Sequence, residues 1–168
     1  MLQLERSGLV ATRLRFPDAL SHIVVRYLHA LGTRMTQSKT KNRKFVLAER
    51  PKGEPDENTL RLETEDLPAP GSGQMLLRNE YLSLDPYMRG RMSDAPSYAA
   101  PVEIGQVMVG GTVAQVVSSG VFGFEEGDWV QAFGGWQDYA LSDGNGVINM
   151  GKDPKNPSWA LGVLGMPG

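Results

Sequence analysis

The 168-residue chain contains no cysteine. This absence excludes disulfide bridges, thiolate zinc sites, cysteine nucleophiles and iron–sulfur clusters from the chain. Its two histidines, His22 and His29, both lie before Met35, so the rest of the chain also lacks the usual general base for neutral pH. The apolar runs are far shorter than the ~20 residues that a membrane-spanning helix needs. Chemistry from Met35 onward therefore has to rely on other side chains.

The composition is that of an ordinary globular domain. Hydrophobic residues make up 40% and charged residues 21%, which argues against global disorder. The formal net charge of −2 gives no overall attraction to nucleic acid. With 20 glycines and 11 prolines, many turns are expected to interrupt the chain.

The first 34 residues differ in charge from the rest, with five arginines against two acidic side chains. Residues 18–31 have apolar side chains at helical spacing, with Asp18 as a possible N-cap. A targeting or membrane-surface element is one interpretation. The preferred interpretation is an extension outside the fold. Met35 begins a segment that looks like an ordinary polar N-terminus, and a translation start assigned upstream of it would produce this pattern. We therefore predict an N-terminal extension over 1–41 and a folded domain over 42–168.

From Lys44 onward, short apolar or alternating segments separated by glycine and proline predict a β-rich barrel or sandwich. The predicted strands cover residues 45–48, 60–66, 74–84, 107–118, 128–133, 136–141 and 147–150. One helix is predicted to begin within 157–164, with Ser158 as its N-cap, and 144–146 predicts a hairpin turn. No glycine-rich phosphate loop stands between a strand and a helix, so no dinucleotide-binding unit is visible.

Three stretches carry family information. They are YLSLDPYMRGRM at 81–92, GGTV at 110–113 with GDWV at 127–130, and WQDY at 136–139 with LGVLGMPG at 161–168. Together they resemble the N-terminal, GroES-like domain of the zinc-independent medium-chain dehydrogenase/reductase superfamily. Within it they are similar to the NADPH-dependent alkenal/enone reductases, the branch of the prostaglandin/leukotriene reductases, the plant double-bond reductases and the bacterial curcumin reductase. The resemblance covers about residues 42–168.

The resemblance implies a mainly β fold with few helices, a partly open GroES-like barrel without the Rossmann domain that follows in the family. NADPH would then be held mainly by that absent domain, and the 168 residues alone would be incomplete. Where zinc-dependent relatives carry a His-Glu ligand segment, this chain has Gly105-Gln106-Val107, so no zinc is expected. The family also implies a cytoplasmic homodimer that acts on a small-molecule enone or alkenal, with no nucleic-acid or membrane partner.

Reduction of an enone needs a hydride at the β-carbon, a hydrogen-bond donor at the developing enolate oxygen and a proton at the α-carbon. Without histidine or cysteine, tyrosine is the best donor present. The pattern around Tyr87 alone favours an aromatic packed in the core, whereas the resemblance implies a catalytic position beside the nicotinamide. Tyr98, in a proline-flanked loop, is a candidate for substrate positioning or proton donation. The resemblance further implies cofactor contacts at Asp85, Pro86 and Met166.

Other interpretations remain open. Asp85 also suits a turn before Pro86, Trp136 suits the core as well as the cleft, and Arg89 or Arg91 suits a structural ion pair as well as an anionic ligand. A non-catalytic GroES-like binding or assembly domain and a zinc-free quinone reductase are the rival functions. The apolar tail 159–166 is expected to be exposed and to promote association.

Overall fold

A computed structural model describes residues 41–165 and the two-residue strand Leu2–Gln3. The predicted helix at 18–31, nearly all of the predicted extension and Met166 lie outside the described residues. The described extension residues, Leu2–Gln3, pair with Leu82 and Tyr81.

Short strands dominate the described chain. They are β1 (Leu2–Gln3), β2 (Lys41–Leu47), β3 (Leu60–Asp66), β4 (Met75–Leu82), β5 (Thr112–Ser119), β6 (Trp129–Ala132), β7 (Tyr139–Ser142) and β8 (Ile148–Gly151). The two helical segments are short: α1 (Tyr87–Arg91) and a 3₁₀-helix (Pro157–Leu161). The expectation of a mainly β fold with few helices is confirmed.

Strand β4 is the centre of the larger sheet. Antiparallel pairing runs in the order β1-β4-β5-β6-β8, and β7 also pairs with β4. Strand β7 takes the edge of β4 from Met75 to Arg78, and β1 takes it at Tyr81 and Leu82. Strands β2 and β3 form a separate antiparallel pair, joined to the remainder by single bridges at Lys44 and Val46. The sheets remain open rather than closing into one complete barrel.

Helix α1 is anchored in one hydrophobic cluster, here called the α1 cluster. Its buried members are Phe45, Leu47, Leu60, Met88, Met92, Val102 and Met108. Met88 lies within α1 and Met92 is its C-cap residue, and both are buried. Burying a methionine side chain contributes about 1.5–3 kcal/mol, so the two contacts give this five-residue helix a stability that its length alone does not provide.

A buried polar network joins β2 to residues 136–139. Asn42 donates from Nδ2 to Gln137 Oε1 at 3.2 Å and accepts at Oδ1 from the Tyr139 amide at 2.9 Å. Arg43 forms an ion pair with Asp138, with Nε and Oδ2 2.6 Å apart. The WQDY stretch therefore has a structural role, because it connects the two-stranded sheet to the larger one.

The structure corrects several local predictions. The turn at 144–146 does not close a hairpin, because β7 pairs with β4 while β8 pairs with β6. The C-terminal helical segment is a 3₁₀-helix with Asn156 rather than Ser158 as its N-cap, since Pro157 takes the first helical position. Helix α1 was not predicted. Its five residues include Gly90 and hold too little local signal.

Gly134 lies where no side chain fits. A Cβ there would stand 2.5 Å from Asn79 Oδ1 and 2.9 Å from Thr112 Oγ1, both in buried residues. We predict that Gly134→Ala lowers the free energy of unfolding by about 1–3 kcal/mol, measured by urea denaturation. Gly90→Ala is the matched control, because its Cβ meets nothing within 4 Å and helix propensity favours alanine. Equal stability of the two variants would contradict this packing argument.

Candidate active site

A cleft of about 420 Å³ opens between α1 and the adjoining end of the larger sheet. This volume falls within the roughly 300–1,000 Å³ typical of small-molecule sites. The cleft is lined by Ser83, Asp85, Tyr87, Arg91, Tyr98, Val109, Gly110, Gly111, Gln131, Ala132, Phe133, Ala160 and Leu161. Its charged and phenolic groups come from the chain between β4 and Tyr98, and its apolar wall comes from β6 and the 3₁₀-helix.

The short helix α1 directs two side chains into the cleft. Tyr87 and Arg91 are four residues apart and so share one helical face, while Met88 enters the α1 cluster. Pro86 precedes the helix with φ −57° and ψ −30°, the conformation that a helix start requires. The Asp85 carbonyl accepts a hydrogen bond from the Met88 amide at 3.1 Å, which fixes the first turn.

Two consecutive glycines present backbone to the cleft. A Cβ on Gly110 would stand 2.8 Å from Leu82 Cδ1 and 3.1 Å from the Trp136 indole, so any side chain there would force one of these neighbours to shift. The Gly111 carbonyl accepts a hydrogen bond from the Ser83 amide at 2.9 Å, which joins the start of β5 to the chain leaving β4. Gly110 and Gly111 therefore contribute bare backbone to the wall of the cleft that Tyr87 also lines.

The hydroxyl of Tyr87 is suited to donate a hydrogen bond. Burial raises the pKa of Tyr87 above its ordinary value of 10.0, and the Asp85 carboxylate raises it further. The Arg91 guanidinium acts in the opposite direction, and Tyr98 adds a smaller upward effect. The phenol therefore stays protonated through the neutral range. The Tyr87 side chain packs against the α1 cluster and also lines the cleft, so the core interpretation and the cleft interpretation are both partly correct.

The predicted site residues are only partly brought together. Tyr87, Asp85 and the 86%-exposed Tyr98 border the same cleft, although Tyr98 lies on a loop eleven positions beyond Tyr87. Pro86 shapes the start of α1 without lining the cleft. Met166 lies outside the described residues. The roles assigned to these five residues remain predictions.

The structure also resolves the alternatives for the two arginines and for Trp136. Within residues 41–165 neither arginine forms an ion pair, so the ion pair expected for at least one of them is not found there. Arg89 instead donates to the carbonyl oxygens of Pro51 and Gly53. Trp136 packs edge-on against Phe45, with ring centroids 6.4 Å apart, and belongs to the core rather than to the cleft lining.

Sequence reasoning missed the far wall of the cleft. Gln131 donates from Nε2 to the Ala160 carbonyl at 2.9 Å and so holds the 3₁₀-helix beside the cleft. Phe133 follows β6 and is 82% exposed. No local signal identified them, because Gln131, Ala132 and Phe133 are consecutive and all three line the cleft, whereas strand alternation would separate their sides.

The described residues hold no cluster of metal ligands, since no three histidine, cysteine or acidic side chains lie together among them. In the same part of the chain, no helix has the length and apolarity required to span a bilayer.

Comparison with known proteins assigns the family. A family model described as the N-terminal domain of oxidoreductase matches residues 43–150. This chain belongs to that family. Over 134 residues it is 59% identical to a protein named NADPH-dependent curcumin reductase from Escherichia coli, and over 137 residues it is 37% identical to rat prostaglandin reductase 1. The expected relationship to the alkenal reductase branch and the GroES-like fold are confirmed.

A solved structure extends the likeness to three dimensions. CurA from Vibrio vulnificus superposes with a TM-score of 0.72 at 61% identity, covering 75% of this chain and 37% of that one. The structure of CurA in complex with NADPH matches at a TM-score of 0.71. The chain spans about two fifths of the length of these relatives, 39% for the E. coli protein.

The raised pKa of Tyr87 has a measurable consequence. We predict that its phenol titrates above 10.0, because burial and Asp85 both disfavour the phenolate. Carbon-13 NMR of Cζ-labelled tyrosine would follow this, with Tyr87→Phe assigning the signal. The folded state then holds this proton more tightly than the unfolded chain does, so the stabilisation is present below the ordinary value and is lost as pH rises through the raised one. Titration of Tyr87 below 10.0 would contradict the described environment.

Proposed function

We propose that this chain is the catalytic half of an NADP-dependent oxidoreductase that reduces the carbon–carbon double bond of α,β-unsaturated ketones and aldehydes. One observation carries the proposal: a phenol that stays protonated at neutral pH borders a cleft with apolar walls in a member of this oxidoreductase family. The names of the relatives, curcumin reductase, prostaglandin reductase and 2-alkenal reductase, support the same class of activity.

The cleft residues fit one end of NADPH. The bare backbone of Gly110 and Gly111 and the apolar side chains of Val109 and Ala132 suit a flat nicotinamide ring. Among the described residues, Arg91 is the one cation that lines the cleft, and it shares the cleft with an acidic residue, a poor arrangement for a diphosphate. We propose that Asp85, with Pro86 and Met166, borders the nicotinamide end and that the phosphates are held outside the described residues. When bound, NADPH supplies the hydride.

The chain's own residues would orient the substrate and manage its charge. The Tyr87 hydroxyl donates a hydrogen bond to the substrate carbonyl oxygen, which gains negative charge as the β-carbon receives the hydride. Tyr98 at the rim positions the substrate or donates the proton that reaches the α-carbon, which completes the saturated product. The apolar wall around Ala132 and Leu161 limits water at this point and so strengthens the hydrogen bond.

The exposed apolar surface beside the cleft favours an incomplete assembly over a free-standing binding domain. Trp159, Val163 and Leu164 are 51%, 63% and 73% exposed, and Phe133 adds a further exposed ring. Such a surface is expected to contact another protein body. We propose a partner domain of the same enzyme, within a cytoplasmic homodimer that needs no zinc.

The test uses a fused enzyme, meaning this chain joined to the part of Vibrio vulnificus CurA that lies beyond the match. NADPH consumption is measured with an enone, with the corresponding saturated ketone and with a quinone. We predict turnover of the enone and none of the saturated ketone. Tyr87→Phe is expected to lower kcat about 10²-fold or more, because one donor to the developing oxyanion is lost.

Tyr139→Phe is the control for that experiment, since Tyr139 lies on β7 and does not line the cleft. Reduction of the quinone alone would favour the quinone reductase alternative. A folded fusion that binds NADPH but reduces neither substrate would contradict the proposed activity and favour a binding or assembly role.

A further inference from the structure

Arg91 differs from every other arginine of residues 41–165. Five of the six have side-chain partners there: Arg43, Arg50, Arg61, Arg78 and Arg89 bind carboxylates, an amide oxygen or main-chain carbonyls. Arg91 has neither a hydrogen-bond nor an ion-pair partner within those residues, and its Nε is buried. Arg91 as a whole is half-buried, but an N–H group that is buried at Nε without an acceptor is unfavourable, so its position beside the cleft needs a physical reason.

The neighbours of Arg91 supply that reason. It shares the cleft face of α1 with Tyr87, four residues earlier, and the two side chains interact electrostatically. Asp85 and Tyr98 also act on the Tyr87 hydroxyl, and both make negative charge there less favourable. Arg91 is the one positive group that acts on this hydroxyl among the described residues.

We propose that Arg91 is a positioning residue for Tyr87: its positive charge favours negative charge at the phenol end of the cleft, where the substrate carbonyl oxygen becomes an enolate. This inference rests on the proposed function and assigns the cleft an oxyanion-stabilising pair rather than a single donor. Arg91 acts through the field around the Tyr87 hydroxyl, and the substrate oxygen takes its hydrogen bond from Tyr87.

Titration of Tyr87 itself tests the pair without substrate. The phenolate puts negative charge at the end of the cleft where the enolate oxygen would form, so its stability reports how the surroundings treat an oxyanion. The experiment uses the 168-residue chain with Cζ-labelled tyrosine. We expect Arg91→Gln and Arg91→Met each to shift the Tyr87 titration to higher pH. Arg91→Lys is expected to keep it near the wild-type position, because the charge is retained.

Arg89→Gln is the matched control on the same helix, because the Arg89 side chain is engaged by Pro51 and Gly53 and does not line the cleft. It should leave the Tyr87 titration unchanged. Two neutral variants of different polarity are used so that misfolding of one does not decide the result, and the backbone amide spectrum reports the fold of each.

An unchanged Tyr87 titration in the folded neutral variants would overturn the inference, as would an equal shift in Arg89→Gln. This result and the test of the proposed function can fail independently. An Arg91-dependent shift without enone activity in the fused enzyme would support the interaction of Arg91 with Tyr87 but reject the proposed reaction. Enone activity without the shift would support the reaction but reject the role of Arg91.

Discussion

Burial of Met88 and Met92 determines where the proposed catalytic side chains of this chain lie. Helix α1 is too short to be stable alone, and these two side chains hold it against the α1 cluster. With Met88 and Met92 buried, the adjoining face of the helix places Tyr87 and Arg91 along the cleft. The DPYMRGRM stretch thus combines an anchor with the proposed catalytic side chains around one short helix, so changes in the core at Met88 should also alter the cleft.

The remaining architecture supplies the walls. Strand β4 holds β5 and β7 on opposite edges and ends where the Ser83–Gly111 hydrogen bond begins the cleft floor. Glycine at 110 avoids crowding Leu82 and Trp136, and together with Gly111 it leaves this part of the cleft wall free of side chains. The contact from Gln131 to the Ala160 carbonyl fixes the far wall. The cleft thus combines charged and phenolic side chains from the chain after β4 with apolar side chains from β6 and the 3₁₀-helix.

Strand patterns in the sequence predicted the fold class because alternation and turn residues are local signals. Tyr87 and Tyr98 were identified through the family resemblance, since spacing alone cannot show that a helix and a loop eleven residues apart border one cleft. Helix α1 itself was missed because its stability comes from tertiary packing. The hairpin predicted at 144–146 failed for a related reason: glycine and asparagine indicate a turn, whereas β4 and β6, distant in sequence, decide which strands pair. Gln131 was overlooked because its contact with Ala160 depends on the placement of the 3₁₀-helix, which is distant in sequence.

We propose above that an enone binds in this cleft with its carbonyl oxygen at Tyr87. The Cζ chemical shift of each tyrosine, followed in the NADPH-loaded fused enzyme as an unreactive enone analogue is added, tests this placement. We expect large changes at Tyr87 and smaller ones at Tyr98, with Tyr139 on β7 unaffected. Saturable binding that leaves the Tyr87 signal unchanged would place the substrate elsewhere and overturn the proposed role of Tyr87.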